Sequence, residues 1–433
     1  TLTTGTGAAT VSLAAGKDKI IYNDGSDEIH DAIANLSTTT IATSGAATIT
    51  GALTSGAGGT IGAGGTTTTL AGISVASENN SIFMSDSDIL DTTSTAAFDT
   101  VYGWGAGKAL TTGDSNTFMG YLAGAAVTTG SANIMIGEST GDGFDTETHN
   151  LGIGNGALGG SIAGGEYNIA IGNLTLDALT SGDYNVAIGY NAGTAQTTAP
   201  GNTIVGAMAV SSGVLTGANN VVVGKAAAVN LTSGHSNVIV GEDAGSIHTT
   251  ASNNVLLGQG AGEGLTTGGD NIFIGTAAGD GHDAETNNLG IGRGALGGSI
   301  AGGEYNVSIG NYSLDALTSG DNNTALGYNA ATALTTSNDN VFIGSGVGQA
   351  ATTPAGNTVI GAYAIQAGTF TGGNNVVIGK LAGYNLSSAD ANIIIGEDAG
   401  LEQTTADNNV LIGQGAGENL TTGGDNIFIG TAA

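Results

Sequence analysis

Carboxylates crowd three glycine-bearing loops of this chain. Asp142-Gly143-Phe144-Asp145-Thr146-Glu147 returns as Asp280-Gly281-His282-Asp283-Ala284-Glu285, and Asn23-Asp24-Gly25-Ser26-Asp27-Glu28 is similar. Hard oxygen ligands on a flexible loop suit Ca²⁺, so Asp142, Asp145, Glu147, Asp280, Asp283 and Glu285 form a candidate calcium set. A solvated acidic turn accounts for the same residues. With a net charge of −30 on the chain, loose screening by divalent cations competes with any single tight site. Gly154-Asn155-Gly156-Ala157-Leu158-Gly159 and Gly292-Arg293-Gly294-Ala295-Leu296-Gly297 spell a dinucleotide fingerprint. No helix is expected after either, and 79 glycines make chance matches common. The five histidines, His30, His149, His235, His248 and His282, show no metal-ligand spacing and no nucleophile partner. His248 shares a recurring slot with Leu265, Leu420, Gln196 and Gln403, and reads as surface or partly buried filler. No catalytic residue and no cofactor other than calcium is expected.

The elements that carry these loops follow from a repeat. From Asn116 to Asn426 the pattern Asn, apolar, any residue, Ile/Val/Leu, Gly recurs nineteen times at gaps of 17 or 18 residues. So short and strict a period predicts an all-β parallel solenoid, each coil stacked on the last. Nineteen coils at ~4.8 Å make a rod on the order of 90 Å. The asparagines, Asn254, Asn271, Asn409 and Asn426 among them, are expected to form an amide ladder at a turn. The glycines four residues on, such as Gly258, Gly275, Gly413 and Gly430, are expected to end each strand with a positive φ. A second repeat overlies the first. Gly141–Asp145 recurs 138 residues later as Gly279–Asp283, and Asn220 and Asn271 recur 155 residues later as Asn375 and Asn426. The second block therefore gains one coil, and the sequence stops inside a repeat, so the natural protein is expected to be longer.

Within a coil, positions one and three after the asparagine are expected to face inward and position two outward. Position two is nonetheless mostly apolar, as at Phe118, Met135, Ile239, Leu256, Phe273, Phe342, Ile394 and Phe428. A strand apolar on both faces is buried on both. Such a stripe exceeds what a monomer leaves in water, so these eight residues are the expected interface of an intertwined or side-by-side homotrimer. Phe273→Asp combined with Phe428→Asp would then impair assembly.

Residues 1–80 lack the period and read as a Thr/Ala/Gly-rich shaft or adaptor, with a hairpin near Lys19–Gly25 and a short helix over Asp27–Leu36. Residues 81–433 form the repeat region, Ser81–Ser85 being a degenerate first coil. Only 6 Lys and Arg stand against 36 Asp and Glu, which argues against nucleic acid and against anionic membranes. No Cys is present, and no stretch is apolar enough to insert in a membrane as a helix.

The coils resemble the Gly-x-x-Ala-Gly…Asn-x-x-Ile-Gly repeats of phage tail-fibre proteins. Gly120-Tyr121-Leu122-Ala123-Gly124 and Gly189-Tyr190-Asn191-Ala192-Gly193 carry that pattern. They are also similar to the Asn-x-x-Ile-Gly head repeats of trimeric autotransporter adhesins, over about residues 99–433. This resemblance implies a non-enzymatic, adhesive extracellular fibre. The first expectation is a tail-fibre shaft on a virion, presenting a tip, outside this segment, that meets a host glycan or protein. The alternative is a bacterial surface adhesin or filament of the trimeric β-roll type. Stacked Thr pairs such as Thr266-Thr267 could make a hydroxyl array for ice, although Thr also simply suits a β-surface. Exposed Trp104 and Tyr121, Tyr190, Tyr328, Tyr363 and Tyr384 could stack on sugars.

Overall fold

The computed structural model describes residues 95–160, 164–299 and 302–433, together with strands at Tyr22–Asn23, Ile29–His30, Thr68–Leu70, Ile73–Ala76 and Ile82–Ser85. Two compact units divide the chain, Thr1–Thr60 and Ile61–Ala433. In the first, Tyr22–Asn23 pairs antiparallel with Ile29–His30. A strand therefore runs through part of the span expected to be helical; the rest of residues 1–60 lies outside the described residues.

The second unit is a parallel β-solenoid of about 19 turns with ~17-residue coils. Thr68–Leu70, Ile73–Ala76 and Ile82–Ser85 form an antiparallel start. From Ile82–Ser85 onward each strand pairs parallel with the strand one coil later. Register is strict: Ile272, Phe273 and Ile274 face Leu289, Gly290 and Ile291. The extra residue of an 18-residue coil is taken up away from the strand. Leu215, for example, rather than Gly213, bridges to Gln196.

From Thr100–Tyr102 onward each strand is only three residues long because glycine ends it. Gly258 has φ +140°, a region L-residues do not hold, and a Cβ there would run into the carbonyl oxygen of Gly275 in the next coil. Backbone pairing nevertheless continues around the coil: the Gly262 N–H donates to Ala278 O and the Thr266 N–H to Asp283 O. Main-chain groups are thereby satisfied without longer strands.

The asparagine fixes which way the strand faces. Its side chain is buried, as at Asn254 and Asn271. The Oδ1 of Asn254 accepts the backbone N–H of Asn271 at 2.9 Å, while its Nδ2 donates to Gly268 O at 3.0 Å. Asn409 and Asn426 repeat the link at 2.9 Å. The chain of amides runs unbroken from Asp99, whose Oδ1 accepts from Asn116, to Asn426. With Asn pointing inward, the two-residue strand period sends position two inward and positions one and three outward.

That reverses the expected faces. Phe118, Met135, Ile239, Leu256, Phe273, Phe342 and Ile394 are wholly buried inside their own chain, and Phe428 packs against the same core. They form the solenoid's interior, together with the small residue at position seven (Ala261, Ala278) and the apolar slot at position eleven (Val127, Leu231, Leu265). They cannot line an interface between chains.

Candidate functional site

Three surfaces merit a functional reading. The first is the outward strand face. Positions one and three carry Thr, Val, Leu, Ile, Met or Tyr along the whole stack, with no charged residue. Ile134, Val221, Val238, Ile272 and Ile393 are exposed on it, as are Met119, Ile188 and Leu326. Three residues of strand by about twenty coils give a flat face roughly 10 by 90 Å, on the order of 900 Å². A monomer seldom leaves more than about 300–600 Å² of contiguous apolar surface in water.

The second is the acidic loops. The expected calcium ligands do not converge. Glu147 is buried and used by the backbone: its Oε2 accepts the N–H groups of Asp145 at 2.7 Å and Thr146 at 3.0 Å, and its Oε1 that of Gly164 at 2.9 Å. Glu285 does the same for Asp283, Ala284 and Gly302. Asp145 and Asp283 each accept the hydroxyl of the previous coil's threonine, Thr128 and Thr266. Asp142 and Asp280 instead couple to carboxylates two coils on, Asp142 acting on Asp177 and Asp280 being acted on by Asp315. Burial, then Asp142, raises the Asp177 pKa. Burial raises that of Asp280, with Asp315 and Glu263 adding; burial also raises that of Asp315. Gly297 makes room for the latter pair, since a Cβ there would lie 2.9 Å from Asp315 Oδ1 and 3.2 Å from Asp280 Oδ1. Among the described residues no group of three or more His, Asp or Glu is placed to hold a metal ion.

The third comprises ridges of repeated aromatics. A residue type repeated at one coil position stacks at one coil rise. Trp104 lies on Tyr121 with ring centroids 5.1 Å apart. His149, Tyr167 and Tyr184 form a second stack at 4.8 and 5.1 Å. This second stack was legible as the residue preceding the asparagine in three successive coils. The threonine pairs are partly structural: Thr249 Oγ1 donates to Thr266 O at 3.0 Å.

His248 and His282 occupy the interior slot at position eleven and are fully buried. The Nε2–H of His248 donates to Ala251 O at 3.0 Å. Among the described residues His282 finds no polar partner for either ring nitrogen, and it packs on Phe273 at 4.6 Å. Burial pushes the pKa of His282 down to about 3 and that of His248 to about 4. The unfolded chain takes up these protons near pH 6.5, whereas the folded chain refuses them until pH 3–4. Stability is therefore full above about pH 6.5 and falls as the pH drops toward 4, by about 1.4 kcal/mol per pH unit for each histidine. Phe144 fills the equivalent slot one block earlier. His282→Phe is expected to remove about half of the fall in urea midpoint between pH 7 and pH 5. An unchanged fall would show that His282 is not its source.

No protein-family model, no curated protein and no solved structure matches this chain.

Proposed function

We propose that this chain is a shaft segment of a homotrimeric extracellular fibre, of the kind that holds a phage tail-fibre tip away from the particle. The single observation carrying this reading is the uncharged apolar strand face that runs the length of the stack. Closure about a three-fold axis parallel to the stack covers three such faces at once. It keeps all chains in one direction, so each coil meets its equivalent in both neighbours. The work is mechanical: reach and rigidity from a continuous hydrogen-bonded ladder. Coils of nearly uniform length, closed by glycine turns, support a structural rather than an enzymatic role.

Charges placed on the outward face test it. Ile272→Asp with Ile393→Asp is expected to give folded monomers, with unchanged far-ultraviolet circular dichroism and a mass lowered to that of one chain. Retention of the wild-type assembly by this variant would sink the reading.

A further inference from the structure

We propose that the second block carries a groove that binds a neutral saccharide, a feature the first block lacks. The groove is about 340 Å³ and is lined by Tyr363, Tyr384, Leu401, Gln366, Asn385 and Glu402, drawn from three successive coils. That volume lies at the lower end of small-molecule sites. None of its residues belongs to a strand, so the groove lies outside the strand face.

The two blocks supply the comparison. At the positions 155 residues earlier, the same fold carries Met208 for Tyr363, Ser211 for Gln366, Val229 for Tyr384, Ser246 for Leu401 and Ile247 for Glu402. Two aromatic rings, an amide and a carboxylate thus enter together on one patch. Only Asn385 keeps its identity, as Asn230, and its partner changes. Asn230 Nδ2 donates to the Ser246 carbonyl at 3.0 Å, whereas Asn385 Nδ2 donates to Glu402 Oε2 at 3.1 Å. Gln366 Nε2 donates to Gln349 Oε1 at 3.1 Å, where the first block has Thr194.

These bonds use amide hydrogens and one carboxylate oxygen. Among the described residues Gln366 Oε1, Asn385 Oδ1 and Glu402 Oε1 take no protein donor. The groove therefore offers tyrosine rings to an apolar sugar face and three acceptors to sugar hydroxyls. No lining residue is basic, and the chain carries a charge of −30. Anionic sugars, phosphates and sulfates are disfavoured on both counts, and ring faces beside hydroxyl acceptors fit an uncharged hydroxylated ring.

Saturation-transfer NMR with cellotriose, maltotriose and chitotriose tests the proposal. At least one of the three is expected to bind at roughly millimolar affinity. The variant Tyr363→Met/Tyr384→Val/Glu402→Ile installs side chains that the first block already accommodates, so the coil keeps its fold. It is expected to weaken binding at least about tenfold, the loss of two ring contacts and an acceptor. Glu402→Gln, which keeps the shape and one oxygen, is expected to weaken it less. Absence of transfer from all three sugars, or equal binding by the triple variant, would overturn the proposal. Neither result bears on the fibre reading, which rests on the strand face.

Discussion

Replacing Asn254 by leucine is expected to open the solenoid locally. The Asn271 N–H loses its acceptor and the Gly268 carbonyl its donor, and both groups sit where water does not reach. Each buried orphan costs about 1–3 kcal/mol, so about 2–6 kcal/mol is expected for the pair. Leucine adds no compensating bond, and its branched end meets a row of amides. Because each coil of a solenoid leans only on its neighbours, the damage should be confined to nearby coils. Amide hydrogen exchange should quicken at Val255–Leu257 and Ile272–Ile274 and stay slow several coils away. Unchanged exchange at those two strands would show that the ladder is incidental to the stack.

Phe273→Asp is expected to be at least as severe, while its neighbour Ile272→Asp leaves the coil folded. Phe273 is wholly buried, with His282 at 4.6 Å. Removing a core phenylalanine costs about 3–5 kcal/mol even without a charge, and an unpaired buried carboxylate adds to that. Ile272, one residue away, is 39% exposed, and a charge there meets solvent or a neighbouring chain. Limited proteolysis separates the outcomes. Early cleavage in the coils around residue 273 is expected for the first variant and none for the second. The opposite pattern would restore position two to the outside.

This pair of residues also marks where the sequence could be read and where it could not. The coil length, the parallel ladder and the strand-ending glycines were legible, because a 17–18-residue period with glycine at a fixed place admits few other backbones. The facing of the strand was not legible from hydropathy, since positions one, two and three are all mostly apolar. The missing argument lay in the asparagine. An amide repeated at every coil needs partners above and below, and in a solenoid these are most secure inside. Once Asn254 points inward, Leu256 follows it in by parity, and Val255 and Leu257 turn to the other face. The apolar residues left on the outer face are thus Ile272 and Ile274 rather than Phe273.

The acidic loops misled for a different reason. Asp142, Asp145 and Glu147 are close in sequence, but the coil turns between them and gives each a different neighbour. Glu147 folds back to cap its own turn, while Asp142 acts on Asp177, two coils away. Contacts across coils can be read only after the stacking register is known. The interior histidine was within reach, because His282 stands 138 residues after Phe144 and that offset alone places it in an apolar slot.

Sedimentation equilibrium of the purified chain decides whether the strand face joins copies of it. Three-fold closure over that face requires a mass of three times 41.7 kDa, held on dilution through the micromolar range. A single species at 41.7 kDa, with a melting temperature independent of concentration, would contradict the trimeric fibre and leave the outward valines and isoleucines without a partner.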